Sequence, residues 1–267
     1  MPGRGIAVTG GHGWDTGAYI ADGPDEMRKA AREMIRAGAD WVKLFITGGA
    51  GSANERLEDH QMTFEEMNAA IDEAHRRGKP VYAHLSVSSA VRDFLKAGGD
   101  SVEHGHMLEQ DVVDTMVKQG TFYVPTLSVY HRLVERGEKG EVPEFMYRKS
   151  LAVVERHRQS FKMALNAGVK IVMGTDSGAY WFPCDMATLY ELEIMTKEGM
   201  KPMEAIKSAT SRAADLLQVS DILGTLEPGK LADILIIDGD PLKNILEIEN
   251  TWMVIKEGNI LVKNDKF

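Results

Sequence analysis

The chain has 267 residues, 43% hydrophobic and 27% charged; this balance excludes a disordered chain, and no apolar run approaches the roughly 20 residues that span a bilayer. Its 31 basic and 40 acidic residues give a formal net charge of -9, and the basic positions are too scattered to track a phosphate backbone, which excludes nucleic acid as the expected partner. The single cysteine, Cys184, excludes an intrachain disulfide, and the opening Met1-Pro2-Gly3-Arg4-Gly5 lacks the apolar stretch of a signal peptide, so a reducing cytoplasm is the expected compartment.

The length fits one large α/β domain, because a (β/α) barrel runs to about 250 residues without dividing. A short strand is predicted over 6–9. Pro24 then stands at a plausible first helical position, with Met27, Ala31, Met34 and Ile35 at helical spacing before Gly38. A strand follows over 41–46. The next helix opens on Thr63, with Glu66 completing a capping box, Phe64, Met67, Ile71 and Ala74 as its apolar stripe and Gly78 as its stop. The alternation continues through a strand ending at His84, a helix near 88–97, a strand over 101–103, a helix near 110–118 and a strand over 121–125. A long charged helix around 151–166 leads to a sixth strand over 170–173, and helices over 187–197 and 203–217 close the alternating region. From Leu226 the texture becomes that of a small β appendage, with an apolar run over 234–237 and a hairpin-like segment over 253–262. The period is that of a parallel sheet, and the expected organisation is a barrel domain over 1–222 and a β portion over 223–267.

Four side chains close short apolar runs: Lys43 after Trp41-Val42, His84 after Val81-Tyr82-Ala83, His104 after Val102-Glu103, and Asp176 in Gly174-Thr175-Asp176-Ser177-Gly178. The carboxyl ends of barrel strands are where such a fold carries catalysis. Two histidines on adjacent strands can face one ion through neutral ring nitrogens. A buried, neutral lysine amine can add carbon dioxide and become a carbamate that bridges two cations. An aspartate beside a metal can ligate it and move a proton between water and a leaving amine. Singly, each has a plainer reading: a packed histidine, a snorkelling lysine, an aspartate that caps a turn. Gly48-Gly49-Ala50-Gly51 is no phosphate loop, since no Gly-Lys-Ser/Thr follows; it reads as a mobile strand-to-helix loop over the site.

These motifs, together with Arg4-Gly5-Ile6-Ala7 running into Thr9-Gly10-Gly11-His12-Gly13, Thr47-Gly48-Gly49, Glu103-His104-Gly105, Val124-Pro125-Thr126-Leu127 and Leu226-Glu227-Pro228-Gly229-Lys230-Leu231-Ala232-Asp233, resemble the metal-dependent amidohydrolase superfamily. Within it the resemblance is to the imidazolonepropionase-like and prolidase-like dipeptidase branch. It implies a (β/α)8 TIM barrel with a small β-sandwich, and a hydrolase that attacks an amide or related C–N bond of a small molecule or dipeptide with metal-bound hydroxide. It further implies that a carboxylated Lys43 bridges two metals, zinc being expected, that His84 and His104 hold the more exposed ion, and that Asp176 ligates the buried ion and shuttles the proton.

The family's first strand carries a His-x-His pair, and this chain has none in a strand near its start; His104 and His106 form a His-Gly-His in which His104 is already used. The expectation is therefore an incomplete barrel, strands 3–8, completed by a homo-oligomer or an N-terminal segment, since an open arc exposes an edge. The three residues Lys43, His84 and His104 could still hold a single zinc. His12, Tyr130 and His131 are candidate substrate contacts, while His60, His75 and His157 receive no role. Ser86 stands where some dipeptidase-like relatives carry tyrosine, which weakens the case for proline dipeptidase activity. The competing readings are a non-catalytic fragment or half of a split enzyme, and a metal-free Schiff-base aldolase using Lys43.

Overall fold

A computed structural model describes residues 4–179 and 181–264. The chain forms two compact units: one takes the residues up to Pro125 together with Tyr130–Lys170, the other Thr126–Val129 and the residues from Ile171 on. Strands β1 (Ile6–Ala7), β2 (Tyr19–Ile20), β3 (Val42–Phe45), β4 (Val81–Val87), β5 (Ser101–Met107), β6 (Phe122–Val124) and β7 (Lys170–Ile171) form one sheet in the order β2-β1-β3-β4-β5-β6-β7. Every described pairing within it is parallel, and among the described residues the order does not close on itself.

Helices separate the strands as the periodicity requires: α1 (Gly23–Arg36), α2 (Phe64–His75), α3 (Ser88–Lys96), α4 (Gln110–Gln119), α5 (Leu127–Glu138) and α6 (Glu144–Ala167). Thr63 and Glu66 make the expected reciprocal capping box. Glu66 also accepts from Gly23 N at 2.8 Å, so one carboxylate serves the starts of both α1 and α2. Arg28–Asp72 and Arg32–Glu73, each at 2.9 Å, tie α1 to α2.

The second unit contains α7 (Ala187–Lys197), α8 (Pro202–Ala209), α9 (Ser211–Leu216) and an antiparallel sheet of β8 (Ile234–Ile237), β9 (Thr251–Lys256) and β10 (Asn259–Lys263). Glu257 at φ 51 and Gly258 at φ 80 turn the β9–β10 hairpin, the two left-handed residues a tight hairpin of this hand requires.

Several expectations need adjustment. The sheet has a seventh strand, β2, too short for alternation to reveal. The charged helix begins earlier, directly after Pro143, where proline's fixed φ suits a helix start. The helix expected over 203–217 breaks at Thr210 (φ -127, ψ -94); Ser208 and Thr210 direct their hydroxyls at the carbonyls of Ala205 and Ile206, competing with the main-chain ladder. The glycine loop is not a loose flap. Residues 46–50 are buried, and Lys149 on α6 donates to the carbonyls of Gly49 (3.1 Å), Ser52 and Glu55.

Candidate functional site

Pairing in register sets the site. Lys43 lies opposite Tyr82 and Phe45 opposite His84, so with the two-residue period of a strand these four side chains share one face of β3 and β4. The other face carries Val42, Leu44, Val81, Ala83 and Leu85, all fully buried. His104 pairs with Leu85 and Glu103 with His84, so strict alternation would send His104 to the apolar face. The chain avoids this with a left-handed step, His104 at φ 69 and Gly105 at φ 56, and the His104 ring comes within 4.5 Å of the His84 ring.

Two donors hold that unusual backbone. The His104 carbonyl accepts from Tyr123 Oη and from His157 Nε2, each at 2.9 Å. Gly105 has no alternative, because a Cβ there would lie 2.8 Å from the Tyr123 ring.

The first unit gathers five histidines. His12 lies 4.2 Å from His84, His104 is stacked at 5.4 Å on His106, and His106 meets His157 at 4.7 Å, all as ring centroids. Burial pushes His84, His104 and His106 well below the ordinary histidine range, and the nearby Lys43 ammonium further opposes a charge on the first two. Burial likewise brings His157 down to about 4. At neutral pH these are uncharged imidazoles with lone pairs available, the form that binds a metal. The Lys43 ammonium lies 4.7 Å from the Tyr82 ring centroid and 5.3 Å from that of Phe45.

His12 is fixed from three sides. Its Nδ1 is 2.7 Å from Glu55 Oε1, its main-chain N donates to Gln61 Oε1 at 2.8 Å, and its ring seats against Gly49, where a Cβ would fall 2.3 Å from Cε1. Burial would raise the Glu55 carboxyl, but His12, Gln61 and the Gly49 N–H outweigh it and hold it below the usual range.

The structure thus brings Lys43, His84, His104 and His12 together in the first unit. Tyr130 belongs to that unit as well but is buried, its ring 4.3 Å from His106; His131 beside it is half-buried. Asp176 belongs to the second unit, on the segment after β7, exposed and left-handed at φ 49. Among the described residues, no three His, Cys, Asp or Glu side chains converge as a preformed cage for a metal. The first unit supplies two imidazoles and an amine, and their chemistry suits a divalent cation.

Sequence reasoning left His157 aside because charged residues surround it. Its signal was there, since Val153, His157, Ser160, Phe161 and Ala164, all buried, form a helical stripe. Glu55 and Lys149 lie in a loop and on a polar helix, where no periodicity marks them.

Known proteins resemble this chain in sequence and in fold. The sequence profile of the Amidohydrolase family matches residues 4–261. An ochratoxinase from Aspergillus niger is 32% identical over 235 residues, 87% of this chain and 48% of that protein. A crystal structure of a Xaa-Pro dipeptidase with methionine bound in its active site superposes with a TM-score of 0.90 at 34% identity, covering 98% of this chain and 67% of that one. The crystal structure of the A. niger ochratoxinase gives 0.86 at 29%, covering 98% and 66%. The chain spans about half the length of the ochratoxinase it matches. With the profile matched over nearly its whole length, the chain belongs to the amidohydrolase family.

Proposed function

We propose that this chain is a metal-dependent hydrolase that cleaves an amide or other C–N bond of a small molecule or dipeptide. The observation that carries the proposal is the convergence of His84 and His104 at 4.5 Å, both held neutral by burial, beside the amine of Lys43. Lys43, as a carbamate formed with carbon dioxide, and the two imidazoles would hold one or two divalent ions, zinc being the expected metal. A bound cation there supplies a Lewis acid that polarises a carbonyl and lowers the pKa of water towards about 7. Asp176 enters on its sequence motif alone, as the carboxylate that takes the proton of the attacking water on Oδ and passes it to the leaving nitrogen. His12, aligned by Glu55, would contact substrate, with Tyr130 and His131 as further candidates. The similarity to an ochratoxinase and a Xaa-Pro dipeptidase supports an ochratoxin and Xaa-Pro dipeptides as the first substrates to try.

The test is metal content per chain after dialysis, with turnover of a panel of Xaa-Pro dipeptides and an ochratoxin. About one or two zinc ions per chain, lost in His84→Ala and His104→Ala together with turnover, is the expected result. Full metal content and activity in both variants would sink the assignment. No metal and no turnover in the parent chain would favour the non-catalytic reading, and borohydride trapping of a carbonyl substrate on Lys43 the aldolase one.

A further inference from the structure

Ser86 and His106 are both fully buried, and each stands two residues beyond one of the paired histidines, His84 and His104. Their contacts converge on one peptide group. The Gly48 carbonyl can only accept, and it faces His84 Nε2 at 3.1 Å, Ser86 Oγ at 3.2 Å and Thr47 Oγ1 at 3.3 Å. His84 therefore carries its hydrogen on Nε2 and its lone pair on Nδ1. With the single Ser86 proton directed at Gly48, His106 Nδ1, 3.0 Å from Ser86 Oγ, is the donor in that contact. The remaining His106 nitrogen, Nε2, is buried with no hydrogen-bond partner among the described residues.

The orientation of this peptide is not fixed by side-chain sterics, because glycine stands on both sides of it, and a Gly-Gly peptide plane turns over at little cost. It is fixed by its partners: the hydroxyls of Ser86 and Thr47 on the oxygen of Gly48, and Glu55 on the N–H of Gly49. A flipped plane would aim the Gly49 N–H at His84 and demand the opposite tautomer. Only glycine fits at 48, where a Cβ would lie 2.0 Å from the Arg56 carbonyl oxygen.

We propose that Ser86, backed by His106, is a positioning residue that clamps the Gly48–Gly49 peptide with its carbonyl toward His84, holding His84 as the Nε2–H tautomer with Nδ1 open to a cation. The cation half of this statement rests on the metal reading given above; the tautomer half does not.

The experiment is a long-range proton–nitrogen correlation spectrum of the full chain labelled with 15N-histidine, metal-free at neutral pH, followed by zinc titration. The expected spectrum shows His84 protonated on Nε2 and His106 protonated on Nδ1. Ser86→Ala should mix the His84 tautomers and weaken zinc binding about ten-fold or more. His106→Asn, whose amide nitrogen replaces Nδ1, should preserve both properties, and His106→Gln should not. Near-UV circular dichroism checks that each variant is folded, and the parent spectrum tests the tautomers without any variant. His84 protonated on Nδ1 in the parent chain, or an unchanged His84 signature and zinc affinity in folded Ser86→Ala, would overturn the proposal. If the tautomers respond as stated but no protein binds zinc, the clamp stands and the metal reading falls.

Discussion

His104 owes its place in the site to two left-handed residues in a row, and the second of them is the more exacting. At Gly105 the backbone has φ 56 and the Tyr123 ring occupies the position a side chain would take. Gly105→Ala therefore meets both a strained conformation and a clash, together costing about 1–3 kcal/mol. Because the His104 carbonyl is held by Tyr123 and His157, the strain should also disturb the imidazole. We expect a lower thermal midpoint accompanied by weaker zinc binding, measured by calorimetry and titration; a variant with unchanged stability and unchanged affinity would show that the step is not needed. Lys43, His84 and His104 stood out in the sequence as polar residues set in or after short apolar runs, although Lys43 and His84 lie within their strands and not at the ends. The left-handed step was not, since a periodicity of two assigns His104 to the wrong face and only its pairing with Leu85 reveals the exception. His12 was legible as a position in a glycine motif, whereas its partner Glu55, 43 residues away, was not.

Among the elements, α5 has an unusual start. The N–H groups of Leu127 and Ser128, orphaned at a helix N-terminus, donate at 3.0 and 2.7 Å to the Glu191 carboxylate on α7. Glu191 is fully buried; burial raises its carboxyl to about 7, although the N–H bonds favour the charged form. A raised carboxylate binds its proton more tightly folded than unfolded. Its stabilising contribution is thus complete below the unfolded value of 4.5 and is lost as pH rises through 7. Across that window the loss is up to about 3 kcal/mol, and Glu191→Gln, which keeps an acceptor oxygen but cannot ionise, should abolish it. Urea midpoints at pH 4.5, 6 and 7.5 measure this, and parallel pH profiles for parent and variant would rule it out. The expected helices at α2, read from its capping box, and at α7, expected over 187–197, form where the sequence placed them. The break between α8 and α9 went unread because single hydroxyl-to-carbonyl bonds leave no periodic trace, and the Glu191 cap because it joins residues more than 60 positions apart.

At the scale of the whole molecule the alternation of strands and helices was legible because each α/β repeat is local, while the edge position of two-residue β2 depends on pairing that no local pattern encodes. The two compact units also differ in the kind of buried ionisable group they hold, and this fixes opposite responses to pH. In the metal-free chain His84, His104, His106 and His157 of the first unit stay neutral below the usual 6.5, whereas the unfolded chain takes up protons there. Their contribution is complete above pH 6.5 and is lost as pH falls, for His157 down to about 4, which by itself is worth about 3 kcal/mol. His75, raised mainly by its hydrogen bond to Asp100, acts in the other direction, but this pair is more than a third exposed and worth little. The second unit carries Glu191, whose sign is opposite. Hydrogen exchange followed segment by segment, corrected for the intrinsic rate, should therefore show protection of β4 and β5 rising from pH 4.5 to 6.5 while protection around α7 and the start of α5 falls. Parallel trends in the two units would mean that unfolding is a single cooperative event in which the four histidines and the one carboxylate are summed, and opposite trends that each unit answers to its own buried groups.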